Sequence, residues 1–412
     1  MCASITSSTK ITHFALHILR NGKSVVLLRQ KNKCDCMMNN PFIIKAYKSR
    51  ELFCDREEEL QLMLRNSINR TDMTLISQRR MGKTGLILRL FDEIAEVHPD
   101  IHTIYLDIFS SRNIDDFIKL LAEATMRAFK PKTSIGEKLM TFIKTMRPQL
   151  SFDNITGEPQ LIIAYQSPHE KEYTLRGLLE FLDSQDVPII IAIDEFQQIR
   201  DYPEKNMEAL LRTYIQQTRN LTFIYCGSRK HLMADIFTNE KKPFYSSTAF
   251  VSLGKINTES YTAFIRRLFN EYNREIDDQS IDFILEWTRR HTYYTQQLCH
   301  TIFANGDHQI NISKVKAACE QLMQQGEAIY LQYRQMLTVK QWSYLIAVAK
   351  EGSVSQITAA NFLGRHKIGS ASTSQRLADA LCEKGLLNDD INVKGATYSV
   401  NDVFFSHWLE RL

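Results

Sequence analysis

The sequence predicts an α/β fold in three parts: a parallel sheet with helices on both faces, a helical segment, and a C-terminal winged helix-turn-helix. Three observations lead there. Short apolar runs rich in β-branched residues alternate with helical patterns from about residue 57 to residue 253, as expected of strands joined by crossover helices. After Lys255 strand signals cease until about Met323. From Met336 to Leu412 the order is three helices followed by two short strands.

Taken in order, residues 57–69 read as a helix with Leu60, Met63, Leu64 and Ile68 on its apolar side. Residues 74–76 are a short strand, 84–97 a helix, 102–108 a second strand and 114–129 a helix. The stretch 130–179 is long and less regular. Within it, Thr156-Gly157-Glu158 separates two alternating runs, which predicts a hairpin insertion over about 149–165. Residues 187–193 form an apolar run of the kind covered on both faces, 222–226 another, and 249–253 a fifth strand. The C-terminal part predicts helices at 339–350, 357–363 and 372–384, then strands at 388–394 and 396–400.

With 412 residues and 44% hydrophobic composition, the chain is long enough for two or three domains with their own cores. The longest apolar runs fall far short of a bilayer span, so no membrane partner is expected. Charge is uneven: the formal net charge is +4, but residues 1–36 alone carry +5, which leaves −1 for the rest. That leader, with Cys2, Cys34 and Cys36, reads as a transit peptide, a disordered tail, or sequence preceding a true start at Met37 or Met38. No C-x-x-C spacing occurs, so a zinc ribbon or disulfide framework is not indicated, and a reducing cytoplasm is the expected compartment.

The chemistry is concentrated in three places. Ser77-Gln78-Arg79-Arg80-Met81-Gly82-Lys83-Thr84-Gly85 follows a strand and opens a helix, the context of a phosphate-binding loop. There the helix N-terminus favours an anion, Lys83 would reach the β- and γ-phosphates, and the Thr84 hydroxyl would ligate Mg²⁺. Gly82 lets the backbone approach the phosphate, while Ser77 stands where the strict pattern has Gly. Second, an apolar strand ends in Asp194-Glu195, carboxylates delivered to the ligand-binding edge of a parallel sheet. Asp194 would complete the Mg²⁺ shell and Glu195 would orient or deprotonate the attacking water. Third, Gly227-Ser228 ends the next strand, which places Ser228 between the two phosphate-reading strands. Together these predict an NTP-binding P-loop fold with Mg²⁺.

These residues resemble the archaeal-type P-loop ATPase family of the AAA+ and STAND lineage, over about residues 39–412. The resemblance implies ATP as the nucleotide. Asn40-Pro41-Phe42 and Phe53-Cys54-Asp55-Arg56-Glu57-Glu58-Glu59 are similar to the family's N-terminal signature, which lies near the adenine. Asp194-Glu195 resembles Walker B, and Gly227-Ser228 the sensor-1 position. His291-Thr292-Tyr293-Tyr294 resembles a lid motif that commonly reads Gly-His-Pro-Tyr-Tyr, with Arg290 and Thr292 replacing its Gly and Pro. Lys241 and Lys242 fall where related proteins carry an arginine finger.

The expected organisation is a leader (1–36), an ATPase core (37–255), a helical lid (256–335) and a winged helix (336–412). The expected function is a Mg²⁺-dependent ATPase of AAA+/STAND type acting as a nucleotide-driven switch. The alternative is a nucleotide-held regulator or DNA-associated binding module with slow or no hydrolysis. Residues 336–412 carry eight basic and seven acidic residues, a weak footprint for DNA, so a protein partner or self-association is an equal expectation.

Overall fold

Residues that are apolar on both sides of a strand form the middle of the sheet. The computed structural model describes residues 40–130, 133–145, 149–152, 159–162, 168–392 and 395–412. The leader and the turn Thr156-Gly157-Glu158 lie outside the described residues. In chain order the first part comprises α1 (Glu57–Ile68), β1 (Met73–Ile76), α2 (Lys83–Val97), β2 (His102–Asp107), α3 (Ile114–Ala128) and α4 (Ser134–Thr145). The hairpin strands β3 (Gln149–Phe152) and β4 (Pro159–Ile162) follow, then α5 (Pro168–Asp183), β5 (Ile189–Asp194), α6 (Met207–Ile215), β6 (Leu221–Gly227), α7 (Lys230–Thr238) and β7 (Ala249–Ser252).

The main sheet has the order β2-β5-β6-β1-β7 and every pairing in it is parallel. All residues of β5 and β6 are buried, whereas the edge strands β2 and β7 are only partly covered. The period of two sorts side chains between the faces. Ile189, Ile191, Ile193, Phe223 and Tyr225 enter the core shared with α3 and α5, while Ile190, Ala192, Ile224 and Cys226 face α1 and α2. Each fully buried Ile or Phe contributes roughly 1.5–3 kcal/mol, so a polar residue in these strands would be costly until the strand ends.

The second part holds α8 (Thr258–Glu271), β8 (Glu275–Ile276), α9 (Asp278–Trp287), α10 (Thr292–Ala304), β9 (Gln309–Ile310) and α11 (Ile312–Met336). It is not wholly helical as the sequence suggests: β8 and β9 pair in parallel over two residues each, too short to show alternation. Its core also takes Phe42, whose ring lies 4.8 Å from Phe269. Asn40 donates to the His300 carbonyl at 2.8 Å, which pins the same segment to α10.

The last part comprises α12 (Val339–Lys350), α13 (Ala360–Arg365), α14 (Ala371–Glu383), β10 (Leu387–Asn392), β11 (Gly395–Val400) and α15 (Val403–Glu410). The antiparallel β10–β11 pair is the wing. Helix α15 straddles two cores: Val403 and Phe404 enter the lid core, Phe405 and Leu409 that of the winged helix. Trp287 stacks on Phe404 at 5.2 Å and on His407 at 4.6 Å, and the Trp287 carbonyl accepts from His407 Nε2 at 2.8 Å. Lid and winged helix are therefore joined by packed rings as well as by α11. Among the described residues no helix is long and apolar enough to cross a membrane.

All three tryptophans, Trp287, Trp342 and Trp408, lie in the lid and winged helix, so their fluorescence reports that half of the protein. Phe404→Ala is expected to destabilise the tryptophan-monitored transition in denaturant by about 3–5 kcal/mol. A loss below about 1 kcal/mol would show that α15 does not join the two cores.

Candidate active site

The parallel register brings the ends of β1, β5 and β6 to one edge. Between Ile76 and Lys83 the chain turns sharply: Arg80 has φ +64° and Gly82 φ +97°. That backbone is the reason for Gly at 82, since a Cβ in the left-handed region is strained. Ser77 is fully buried and stays out of that region, so a side chain is tolerated where the usual pattern has Gly. Its hydroxyl donates to the Gln78 carbonyl at 3.0 Å. Lys83 is 5% exposed, and its ammonium donates to the Gln78 carbonyl at 3.1 Å and to both Ser77 oxygens at 3.3 Å. Gly85 matters for a different reason: a Cβ there would come within 3.1 Å of the Phe53 ring.

Thr84, in the first turn of α2, donates its hydroxyl to Asp194 Oδ2 at 2.6 Å. Tyr105 on β2 donates to the same oxygen at 2.8 Å, and the Glu195 backbone N–H to Oδ1 at 2.9 Å. Burial and the adjacent Asp194 charge raise the Tyr105 pKa far above the ordinary phenol range, so it stays a neutral donor. Asp107 pairs in register with Asp194, and burial with the charges of Asp194 and Glu195 raises its pKa.

Glu195 sits at φ +55°, a costly backbone for a residue with a side chain. Its Oε2 accepts from the Ser228 hydroxyl at 2.8 Å and from the Gln197 amide. A Cβ at Gly227 would fall 2.3 Å from Gln197 Oε1 and 2.5 Å from Met233 Sδ, so the strand before Ser228 must end in Gly.

The lid grips the loop. His291 Nε2 lies 3.1 Å from the Arg79 carbonyl, Thr292 donates to the Met81 carbonyl at 3.2 Å, and the Arg80 guanidinium lies 4.4 Å over the Tyr293 ring. Burial, reinforced by the Arg80 and Lys255 charges, lowers the His291 pKa to about 4, which fixes a neutral imidazole that donates to Arg79. His291 thus holds loop backbone.

A cavity of about 500 Å³ runs from apolar walls at Ile43, Tyr47, Phe53 and Ile256 to the loop, Asp194, Glu195 and Ser228. This suits a ligand with an apolar ring at one end and phosphates at the other. For a divalent cation, the Thr84 hydroxyl and Asp194 carboxylate converge as hard oxygen donors, and among the described residues no three His, Cys, Asp or Glu are placed to hold a metal ion by themselves. That set fits Mg²⁺, which is held by one or two protein oxygens plus phosphates and water.

The expected site residues thus meet at one edge, but the loop's side chains diverge. Gln78 reaches Asp390 on the wing, Arg80 the lid, and Met81 is buried. Tyr105, Gln197 and Asp390 carry no motif that announces them in sequence. Of the two lysines at the finger position, Lys242 pairs with Glu208 at 3.4 Å and Lys241 is exposed. Arg365, at the end of α13 in the winged helix, pairs with Glu351 at 2.6 Å, which offsets its charge.

The comparisons with known proteins agree with this geometry. The ATPase domain family found predominantly in Archaea matches residues 53–291, and a family described as a probable winged helix domain matches residues 328–411. None of the curated proteins matches in sequence. Among solved structures, a Walker-type ATPase of Pyrococcus abyssi superposes with TM-score 0.61 at 20% identity, over 90% of this chain and 100% of that one. The ORC2 protein of Aeropyrum pernix, in ADPNP–ADP complexes, gives TM-score 0.57 at 13% identity, over 90% and 96%. At such identities the likeness is one of fold, but the family match spans more than half of the chain. The chain belongs to the archaeal-type ATPase family and is a nucleotide-binding ATPase that ends in a winged helix.

Proposed function

We propose that this ATPase is Mg²⁺-dependent and works as a switch, in which the nucleotide sets the position of the lid and the winged helix. The observation that carries the reading is the pair of contacts Thr84–Asp194 and Ser228–Glu195 on one sheet edge. The N-terminus of α2 and Lys83 neutralise phosphate charge, and Lys83 exchanges its long contacts to loop carbonyls for phosphate oxygens. Thr84 and Asp194 hold the cation, which when bound neutralises charge on the β- and γ-phosphate oxygens. Glu195 orients the attacking water and accepts its proton, with Ser228 and Gln197 fixing the carboxylate's direction. The apolar end of the cavity takes the base, against Phe53 and Tyr47.

The switch reading is supported by the loop's partners. The Arg79 and Met81 carbonyls are held by His291 and Thr292, so a change in loop geometry reaches the lid directly. The lid in turn carries the winged helix through Phe404. Domain limits near residues 255 and 335, and cytoplasmic residence, belong to the same proposal.

A second reading, a nucleotide-held regulator with slow hydrolysis, is favoured by one observation: the C-terminal end of α14 and the wing border a further cavity that Asp194 and Glu195 also line. Helix α14 is then partly turned toward the ATPase, so DNA or a protein partner would engage it best after release. Comparing phosphate release with nucleotide affinity in the purified protein separates the two readings; tight binding without Mg²⁺-dependent release would favour the second.

Glu195→Gln is expected to keep nucleotide affinity while single-turnover hydrolysis falls about 10²–10⁴-fold. Hydrolysis at the wild-type rate would remove Glu195 from the water-activating role. Thr84→Ala should raise the half-saturating Mg²⁺ concentration for turnover at least about tenfold, and Thr84→Ser should restore it. An unchanged Mg²⁺ profile in the alanine variant would place the cation elsewhere.

A further inference from the structure

The wing reaches the phosphate loop through the Asp390 carboxylate. Asp390, on β10, accepts from the Gln78 side-chain amide with one oxygen and from the Lys230 ammonium with the other, the latter at 2.5 Å. Gln78 belongs to the loop between β1 and α2; Lys230 opens α7, two residues beyond Ser228. An anion from the C-terminal domain is therefore bound between a loop donor and a cation beside the catalytic edge. A second cavity, of about 830 Å³, places Lys230 on the same walls as Thr84, Asp194, Glu195 and Ser228.

We propose that Lys230 is a ligand of the terminal phosphate of a nucleoside triphosphate, and that Asp390 holds that anion position while the wing is closed. The wing carboxylate and the third phosphate compete for Gln78 and Lys230. This rests on the nucleotide reading of the site and deepens it, since it makes the winged helix sensitive to the γ-phosphate and not to the nucleotide in general. The Lys230–Asp390 pair is weak enough to be displaced: the two side chains are 36% and 43% exposed, and pairs so exposed contribute little. A γ-phosphate carries more charge than one carboxylate and offers three oxygens, so it takes the lysine from Asp390. The closed wing also resists a triphosphate by field. Its Asp389 lines the cavity of Asp194 and Glu195 together with Asp379 and Glu383 of α14, countered on that side by Lys384. A diphosphate, one phosphate shorter, leaves the Asp390 contacts in place.

The test uses the full chain with two probes, ADP and a non-hydrolysable triphosphate analogue, titrated by calorimetry. Asp390→Asn is expected to tighten the analogue about five- to tenfold and to leave ADP unchanged, a coupling of ordinary allosteric size. Lys230→Met should weaken the analogue by a similar factor, and in the double variant the gain from Asp390→Asn should shrink below about twofold, because both act at one site. In the wild type, amide hydrogen exchange over residues 387–392 should rise with the analogue and not with ADP. A tightened affinity cannot arise from misfolding, so the Asp390 arm stands even if Lys230→Met is unstable. If the wild type binds both nucleotides and Asp390→Asn shifts them equally or not at all, the competition is wrong while the nucleotide site stands. If neither nucleotide binds the wild type or Asp390→Asn, the site reading and the latch fall together.

Discussion

Thr84 and Asp194 lie 110 residues apart in the chain and 2.6 Å apart in space. That contact exists because β1 and β5 run parallel on either side of β6, with all three ending at the same edge. Parallel strands buried on both faces must be apolar along their length, so charge enters only where the strand stops. Asp194 is the last residue of β5 and Gly227 the last of β6. The same constraint leaves the periphery free: the β3–β4 hairpin is inserted between α4 and α5 without disturbing the order of the central strands.

Around that edge, polar contacts are shared so that one displacement is felt by several elements. Asp194 Oδ2 accepts from Thr84 on α2 and Tyr105 on β2, and Glu195 Oε2 accepts from Ser228 after β6 and Gln197 after β5. Glu195 is held in a left-handed backbone by these bonds, which is how a strained residue persists. The loop, by contrast, is held from outside. Its carbonyls at Arg79 and Met81 are occupied by the lid, its Gln78 by the wing, and its lysine by its own oxygens. The loop is thus tied to the lid and the wing at once.

How much of this is legible in the sequence follows from the range of the interactions. The strands β5 and β6 are legible because burial on both faces writes an unbroken apolar run. The loop is legible because its chemistry lies within nine consecutive residues, and the winged helix from the order of its helices and wing. Helix α5 was within reach: Leu175, Leu178, Leu179 and Leu182 form an i, i+3, i+4, i+7 stripe, all buried. Gly177, where an added Cβ would lie 3.4 Å from the Phe142 ring, weakens the helical appearance of that stretch. Contacts between distant segments are another matter. Phe42 in the lid core, Tyr105 on Asp194 and Asp390 on Gln78 join residues more than 80 positions apart, and no local pattern marks them.

Charge shows the same division between local and global. The formal net charge of +4 would suggest a protein that attracts anions, yet the chain beyond residue 36 carries −1. A nearly neutral body gives no long-range field to draw in a triphosphate, so phosphate affinity has to come from groups at hand: the N-terminus of α2, Lys83 and the cations beside them. Three of the nearby cations have other partners. Arg80 lies over Tyr293, Lys230 pairs with Asp390, and Lys83 is turned onto loop carbonyls. Two of the three partners belong to the lid and the wing. The positive charge beside the phosphate loop is thus shared with the contacts that hold the lid and the wing.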